Sequence, residues 1–403
     1  MGTRKWWIAG LLFLATAINY VDRQTLSVTA PVLRQEFALS AVEYSRIVAC
    51  FLAAYTIMQA AAGRLVDRIG PRLGLFLAMV WWSLAGAAHA LAWSAVSLGL
   101  FRLLLGAGEA GNWPASVKTV QQWFPQPQRA FAVGLFNSGS SLGAVVALPL
   151  ITWITLRWSW RAAFLAMGAA GLLWTVPWLL LYRKNASSPS PAAQPAAPSP
   201  PLRRLLADPA VWSLMCARFF ADPVWWFYVF WLPDYLGKAR GLSLQSIGAV
   251  AWTPFLAAGL GSIAGGWASG ALVRRGVAAP RARFLVMAVS VLLMSTGASA
   301  AMVRDLYPAL ELISIATFAY SCWAANVLTL PSDLLPPNAV GSTVGLSGSA
   351  AGAGGTLVTL ATGVIVDRFG YGAAFWFPAL LPPLALLPVA YIVRRTRNWK
   401  PVE

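Results

Sequence analysis

The sequence is poor in charged side chains and in the residues that site chemistry usually requires. Only 11% of its 403 residues are charged, and it contains one histidine, three cysteines and 13 acidic residues. Soluble domains carry about 25% charged residues, so this shortage argues against a soluble protein. The three cysteines lie in apolar stretches and predict no disulfide framework.

Motifs of catalysis and nucleotide binding are also missing. The sequence has no G-x-x-x-x-G-K-[ST] phosphate loop, no H-E-x-x-H pair and no acidic metal cluster. A single histidine cannot form a metal site. We therefore expect no metal and no other cofactor, and a polytopic membrane enzyme is only a distant alternative.

Apolar residues are abundant instead. Hydrophobic residues make up 58% of the chain, and the mean hydropathy is +0.64. A membrane-spanning helix needs about 20 apolar residues, so the length accommodates about twelve spans and short loops. The composition predicts an integral membrane protein whose surface contacts the lipid bilayer.

Positive charge is distributed unevenly among the loops. The net charge is +17, which in a soluble protein would suggest a nucleic-acid partner. Here the basic residues concentrate in every second loop, as the positive-inside rule describes, and no nucleic-acid partner is expected. The dense set comprises Arg4 and Lys5; Arg64, Arg68 and Arg72; Arg129; Arg183, Lys184, Arg203 and Arg204; Arg274, Arg275, Arg281 and Arg283; and Arg394, Arg395, Arg397 and Lys400. Both termini are therefore predicted to be cytoplasmic.

The apolar segments fall into two groups of six. They lie at 6–30, 43–65, 72–94, 96–120, 130–156 and 161–182, then at 209–236, 243–273, 282–302, 306–331, 339–366 and 372–395. A Pro/Ala/Ser-rich stretch separates the groups and is typical of an extended linker. We predict an N-terminal six-helix bundle at 1–184, a cytoplasmic linker at 185–207 and a C-terminal six-helix bundle at 208–403.

A short motif occurs once in each half. The pattern G-x-x-x-D-R-x-G spans residues 63–70 after the second segment and residues 363–370 after the eleventh. This repetition indicates duplicated helical units, as in transporters built from internal repeats.

Several stretches resemble one transporter family. The sequence around the first motif, GRLVDRIGPR, is similar to the loop 2–3 signature of the major facilitator superfamily. NYVDRQTLSVTAP (19–31), RLLLGAGEAGNWPAS (102–116) and ARFFADP (217–223) resemble its anion:cation symporter family, in the branch of bacterial hexuronate and aldonate transporters. The resemblance implies an all-α membrane protein with twelve transmembrane helices, in two six-helix bundles around a central cavity, that works by alternating access.

Charged residues lie inside two of the apolar segments, Asp22 and Arg23 near the end of the first and Arg102 and Glu109 in the fourth. Each costs roughly 2.5–3.5 kcal/mol at the bilayer centre, so a functional role is the first hypothesis. Desolvation favours the neutral form of a carboxyl, whereas a nearby arginine favours the ionised form. An anion that occupies the arginine would release the carboxylate to take a proton, which is symport.

The family resemblance distributes the roles among these residues. Glu109 is expected to couple protons, and Arg23 and Arg102 are expected to bind the anion. Asp22 is either a second proton carrier or only a local partner of Arg23. For each of the two pairs, Asp22 with Arg23 and Arg102 with Glu109, the alternative is an ion pair that only stabilises the structure.

Further residues are candidates by type and position. We expect neutral and aromatic contacts to the substrate from Tyr20, Tyr55, Gln59, Asn137, Ser140, Ser141, Trp225 and Asn326. We expect gating from Asp67, Arg64, Arg68 and Arg72.

Two positions refine these expectations. Asp67 should face the N-terminus of the eleventh segment, near Asn338. The equivalent loop, between the eighth and ninth segments, has Gly270 where an acid would be expected, and this weakens a second gating contact of the same kind. Asp222, with Arg218 one turn before it, either lines the cavity or is structural.

The sequence thus favours a monomeric, proton-coupled symporter of the bacterial inner membrane that imports a small organic anion, a hexuronate or aldonate. The proton is the only coupling ion invoked. A uniporter or anion exchanger of the same fold is the alternative.

Overall fold

The computed structural model describes residues 2–182 and 199–395, and over these ranges the chain forms helices and connecting turns without a strand. Most of the predicted linker at 185–207 lies outside the described residues. The helices before it are α1 (Gly2–Glu36), α2 (Ala41–Ile69), α3 (Pro71–Ala88), α4 (Ala95–Glu109), α5 (Asn112–Trp123), α6 (Gln126–Arg157) and α7 (Trp160–Leu181). Those after it are α8 (Leu202–Ala207), α9 (Pro209–Ala221), α10 (Pro223–Asp234), α11 (Leu244–Val250), α12 (Trp252–Arg274), α13 (Ala279–Met294), α14 (Leu306–Val327), α15 (Leu330–Leu334), α16 (Val340–Ala379) and α17 (Leu381–Arg395). Short 3₁₀ turns extend α3 and α13, and a π-helical turn extends α10.

Length and hydropathy identify membrane helices directly. In the described part of the chain, eight helical stretches are long and apolar enough to cross a bilayer. Neither α1 nor the α4–α5 stretch is among them. These are the helices that carry the predicted buried charges, which lower their apolar character.

The repeated motif ends a helix in the same way both times. Gly70 separates α2 from α3 with φ of +83°, and Gly370 interrupts α16 with φ of +76°. Residues with a Cβ rarely adopt this left-handed region. The last glycine of each G-x-x-x-D-R-x-G copy therefore turns the chain from one helix into the next.

The described chain packs as two compact units. The first unit comprises the described residues of Met1–Trp123, Gly139–Pro201 and Pro336–Ser349, and the second comprises those of Phe124–Ser138, Leu202–Leu335 and Ala350–Glu403. Because α6 and α16 each contribute to both units, this division differs from the predicted bundles at 1–184 and 208–403, whose boundaries stay a prediction.

Small residues set the helix spacing inside each unit. In the first unit, a methyl group on Gly63 would collide with the main chain at Gly341. In the second unit, Gly134 of α6 lies equally close to the main chain of Ser262 on α12. Such glycines permit the close approach of helix backbones that membrane helices use for packing.

Candidate functional site

An ion pair between α1 and α4 forms the centre of the polar cluster in the first unit. Arg23 donates from Nε and Nη2 to Oε2 of Glu109 at 3.1 and 2.8 Å. Arg23 Nη2 also donates to Asn19 Oδ1, one turn earlier on α1, at 3.3 Å. The Glu109 side chain is 0% exposed, whereas that of Arg23 is 14% exposed. The arginine is thus the more accessible member of the pair.

Aromatic rings surround the Arg23 guanidinium. Its central carbon lies 4.9 Å from the ring centroid of Tyr20, 4.7 Å from that of Tyr55 and 5.0 Å from that of Phe51. The rings of Phe51 and Tyr55 stack at 5.6 Å. Cation–π contacts of this kind are stronger in desolvated places. Phe51 was not predicted, although its position one turn before Tyr55 on α2 could have indicated it.

Arg102 and Asp22 lie beside this pair and are only partly satisfied. Arg102 Nη2 donates to the main-chain oxygen of Arg23 at 3.1 Å. Its Nε and Nη1, together with Asp22 Oδ2 and Glu109 Oε1, are buried and have no hydrogen-bond partner. Leaving charged groups unpaired in the interior is costly, so these atoms mark a place where a polar ligand or water would be stabilised.

The partner of Arg23 differs from the one that the sequence suggested, its neighbour Asp22. Asp22 and Arg23 are adjacent in sequence, but Arg23 reaches across to Glu109, and within the described residues Asp22 forms no ion pair. Successive residues on a helix point about 100° apart, so neighbours in sequence readily face different partners.

A polar stripe continues along the same interface. Asn112, at the start of α5, donates to Thr16 Oγ1 of α1 at 3.3 Å, and Ser116 donates to Asn112 at 3.5 Å. All three side chains are buried. The helix 4 stretch that the sequence singled out therefore joins α1 through several polar contacts.

The other predicted binding residues are distributed over both units. In the first unit, Gln59 packs against Gly348 where α2 crosses α16, and Ser140 and Ser141 are buried on α6. In the second unit, Asn137 donates to Ser262 Oγ at 3.1 Å, and Asn326 donates to two main-chain oxygens of its surroundings at 2.8 and 3.1 Å.

The structure thus gathers Tyr20, Asp22, Arg23, Tyr55, Arg102 and Glu109 within the first unit. It places Asn137, Trp225 and Asn326 within the second. Their roles in binding stay a prediction.

Asp67 occupies the position expected from the sequence, at the N-terminus of α16, which begins the predicted eleventh segment. Its carboxylate accepts hydrogen bonds from the main-chain nitrogens of Gly341 and Ser342 at 3.0 and 2.6 Å. It also binds Lys118 Nζ at 2.5 Å, in a pair that is almost fully buried. Lys118 was missed, although a lone lysine in an apolar segment is a readable signal.

The predicted gating arginines have different surroundings. Arg72 donates to the main-chain oxygen of Leu179, close to the end of α7, at 3.0 Å. Arg68 is exposed and Arg64 is half-buried. Their part in gating stays a prediction.

Comparison with known proteins identifies the family. The family model described as Major Facilitator Superfamily matches residues 12–359. The chain belongs to the major facilitator superfamily. It is a membrane transporter and not an enzyme.

Within the superfamily, the chain is similar to sugar-acid transporters. It is 32% identical to the hexuronate transporter of Escherichia coli (strain K12) over 401 residues, covering 96% of this chain and 93% of that one. It is 33% identical to the hexuronate transporter of Bacillus subtilis (strain 168) over 395 residues, covering 95% and 93%. It is 28% identical to the D-galactonate transporter of Escherichia coli O6:H1 over 414 residues, covering 97% and 96%.

A solved structure has the same fold. The proton:xylose symporter XylE bound to 6-bromo-6-deoxy-D-glucose matches with a TM-score of 0.75 at 16% identity, over 97% of this chain and 96% of that one. This likeness agrees with the all-helical major facilitator fold of the described residues.

This member of the superfamily has a second charged cluster, in its second unit. Arg283 Nε binds Asp333 Oδ2 at 3.1 Å, and both side chains are 0% exposed. Arg129 approaches the same carboxylate at 3.5 Å. Gly270, where an acid was expected, packs against the main chain of Pro127 and leaves no room for a side chain. The acid of this cluster is Asp333 of α15. The expectation of a weakened gating contact at Gly270 stays a prediction.

Removal of that acid should destabilise the protein strongly. Asp333→Ala leaves the buried Arg283 guanidinium without its counter-charge, which costs about 3–5 kcal/mol when one partner of a buried pair is lost. We expect a clearly lowered Tm for the purified variant in detergent.

A matched control is the exposed pair of the same unit. Lys238, which lies 3.1 Å from Asp234, has a side chain that is 73% exposed. Lys238→Ala should change stability by no more than about 1 kcal/mol, because water screens such pairs. Equal, small shifts in Tm for both variants would contradict the assignment of Asp333 as a structural counter-ion.

Proposed function

We propose that this protein is a proton-coupled symporter that imports a hexuronate or a related sugar acid across the bacterial inner membrane. The relatives named as hexuronate and galactonate transporters support the substrate class. The observation that carries the coupling is the buried Arg23–Glu109 pair, with unpaired polar atoms on both sides of it.

The arginine determines how an anion would enter this cluster. The Arg23 guanidinium donates two hydrogen bonds to a single carboxylate oxygen of Glu109, and it is the accessible member of the pair. A substrate carboxylate offers the same acceptors as Glu109 and can replace it. Arginine is the side chain suited to such exchange, because its planar fork matches a carboxylate and stays charged.

Displacement of Glu109 then favours its protonation. A carboxylate that is 0% exposed and has lost its cation must either find another partner or take a proton. Protonation of Glu109, in turn, releases Arg23 for the substrate. The two binding events therefore strengthen each other, as linkage requires, and anion and proton move together.

The energetics depend on the number of protons. At a membrane potential of about 100 mV, each net charge that moves inward is worth roughly 2.3 kcal/mol. A monoanion that enters with one proton carries no net charge and is driven by the pH gradient alone. A second proton would add the potential, and the unpaired carboxyl of Asp22 is the candidate carrier.

The same proposal includes the topology. Twelve spans would be formed by α1, α2, α3, α4–α5, α6, α7, α9–α10, α11–α12, α13, α14–α15, α16 up to Gly370, and the remainder of α16 with α17. The distribution of basic loops supports a cytoplasmic location for both termini. The transporter acts as a monomer by alternating access.

Uptake into proteoliposomes tests the proposal. Purified protein is reconstituted, and radiolabelled D-glucuronate, D-galacturonate and D-galactonate are offered with and without an imposed inward proton gradient. We expect at least one of these acids to accumulate above its external concentration only when the gradient is present. Uptake that equilibrates at the same level with and without the gradient would indicate a uniporter or exchanger. Transport of none of the acids would contradict the substrate class.

A further inference from the structure

A neutral amide lies within the charged cluster of α1 and α4. Asn19 is 0% exposed and precedes Arg23 by one helical turn. Its Oδ1 accepts a hydrogen bond from Arg23 Nη2 at 3.3 Å. Because a guanidinium can only donate, the amide oxygen must face Arg23 and the amide nitrogen must take the other side. The contact with Arg23 therefore fixes the orientation of the Asn19 side chain.

The nitrogen end of the same amide serves Glu109. The Asn19 side chain adjoins the Glu109 carboxyl and acts on it as a hydrogen-bonding group. Asn19 Nδ2 and Glu109 Oε1 are both buried, and neither bonds to another group in the described part of the chain. An amide N–H can only donate and an ionised carboxylate oxygen can only accept, so these two atoms are complementary. Asn19 thus contacts both members of the Arg23–Glu109 ion pair.

A brace for Arg23 would not require an amide at this position. Serine or threonine could also accept a hydrogen bond from the guanidinium, and burying an amide N–H costs free energy unless it meets an acceptor. Asparagine combines an acceptor and a donor in one side chain without adding a charge to an apolar segment. This combination fits a residue that serves Arg23 and Glu109 together.

Substrate binding would change the surroundings of Glu109. The charged and titratable side chains that act on Glu109, or on Arg23 beside it, are Tyr20, Asp22 and Arg23 of α1, Tyr55 of α2 and Arg102 of α4. All of them belong to the first unit, as does Asn19. When a substrate carboxylate takes Arg23, Glu109 loses the cation that is bonded to it. Asn19 is then the adjoining neutral donor.

We propose that Asn19 is a positioning residue that replaces Arg23 as the hydrogen-bond donor to Glu109 when the substrate binds, and so sets the pH at which Glu109 exchanges its proton. This inference rests on the proposed function and adds the group that meets Glu109 after its displacement. A hydrogen bond to a carboxylate stabilises its ionised form. Asn19 therefore limits how firmly the substrate-bound transporter holds the proton.

The test follows proton uptake during substrate binding. Isothermal titration calorimetry of D-galacturonate binding to the purified, full-length protein is carried out from about pH 5 to about pH 9, in buffers of different ionisation enthalpy. The ligand stays ionised over this range, because carboxyl groups titrate near about pH 4. For the wild type, we expect uptake of about one proton per bound ligand at the acidic end, which falls to half at a midpoint pH.

Two variants remove the amide without adding a titratable group. Asn19→Leu resembles asparagine in outline, and Asn19→Val is smaller and serves if leucine does not fit. In both, the midpoint of proton uptake should move to higher pH by about one to two units, the effect of losing one hydrogen bond to a charged group. Gln35→Leu, which removes an exposed amide from the same helix, is the matched control and should keep the wild-type midpoint.

The outcomes separate this inference from the proposed function. If either Asn19 variant binds D-galacturonate more weakly by one factor at every pH and keeps the wild-type midpoint, Asn19 only braces Arg23 and the proposal fails. A midpoint moved to lower pH, or wild-type uptake that stays complete to the alkaline end, would also overturn the role of Asn19. These results leave the symporter standing. A wild type that binds no hexuronate, or binds it without taking up a proton, would overturn the proposed function and this inference together.

Discussion

Arg23→Lys is expected to lower the affinity for a hexuronate by on the order of 100-fold while the protein stays folded. Lysine keeps the positive charge but lacks the planar fork, so it cannot donate two parallel hydrogen bonds to one carboxylate. A compact ammonium also stacks less well among the rings of Tyr20, Phe51 and Tyr55, which lie 4.7–5.0 Å from the Arg23 guanidinium. Equilibrium binding of D-glucuronate to the purified variant measures the loss.

The control for this prediction is another arginine of the first unit. Arg46 is exposed on α2, away from the polar cluster, so Arg46→Lys should leave the affinity unchanged. Arg102→Lys is the informative companion. Arg102 already donates to the main chain of Arg23, and two of its nitrogens are unpaired. Its replacement should also weaken binding, because under the proposed function these nitrogens would donate to the incoming anion. An Arg23→Lys protein with wild-type affinity would contradict the anion role.

Much of this arrangement could be predicted from the sequence because charge in an apolar segment is rare. Arg23 and Glu109 stood out against their surroundings, and the structure brings them into contact. The G-x-x-x-D-R-x-G motif likewise placed Asp67 at the start of the predicted eleventh segment, α16 in the structure, where it accepts two main-chain hydrogen bonds. Insertion cost and helix dipoles act locally, so a linear pattern carries this information.

The choice of partners could not be predicted, because it depends on how helices pack. The sequence suggested Asp22 as the partner of Arg23, and Glu109 or Asp22 as the partner of Arg102. The crossing of α1 and α4 instead brings Arg23 to Glu109. The contacts of Phe51 and Lys118, unlike their positions in the sequence, could not be predicted for a related reason. Phenylalanine is common in apolar segments, and a buried lysine gains meaning only when its acid, here Asp67, is found beside it.

The second charged cluster shows the same limit. The sequence suggested a missing acid at Gly270, where the first half of the chain has Asp67. The structure instead centres the cluster on Asp333 of α15, with Arg283 of α13 as its partner. Each half of the chain thus has a buried acid–base pair, with its acid on α2 in the first half and on α15 in the second. The repeated motif alone does not indicate which helix supplies the second acid.

The second large effect is expected for Glu109→Gln, which should abolish accumulation against a gradient while counterflow exchange continues. Glutamine resembles the protonated acid in shape and cannot release a proton. Arg23 then lacks its anionic partner and remains available to a substrate at every pH. Binding should therefore become nearly independent of pH over the range in which the wild type responds.

The size of this effect is measured as the accumulation of substrate in proteoliposomes. For a monoanion that enters with one proton, each unit of imposed pH difference supports roughly a tenfold concentration ratio in the wild type. We expect a ratio near one for Glu109→Gln. Glu311→Gln is the matched control, since Glu311 is exposed on α14, and it should accumulate substrate as the wild type does.

The variant Asp22→Asn then distinguishes transport with one proton-carrying residue from transport with two. If Glu109 alone carries the proton, this variant should retain the full ratio per pH unit, and the membrane potential should have no effect on either protein. If Asp22 carries a second proton, the wild type should respond to the potential and Asp22→Asn should lose that response. Accumulation by Glu109→Gln above the external concentration would remove Glu109 from coupling altogether. The Arg23–Glu109 contact would then be a structural pair, and Asp22, buried beside it with one carboxyl oxygen unpaired, would be the remaining acid of the cluster able to carry the proton.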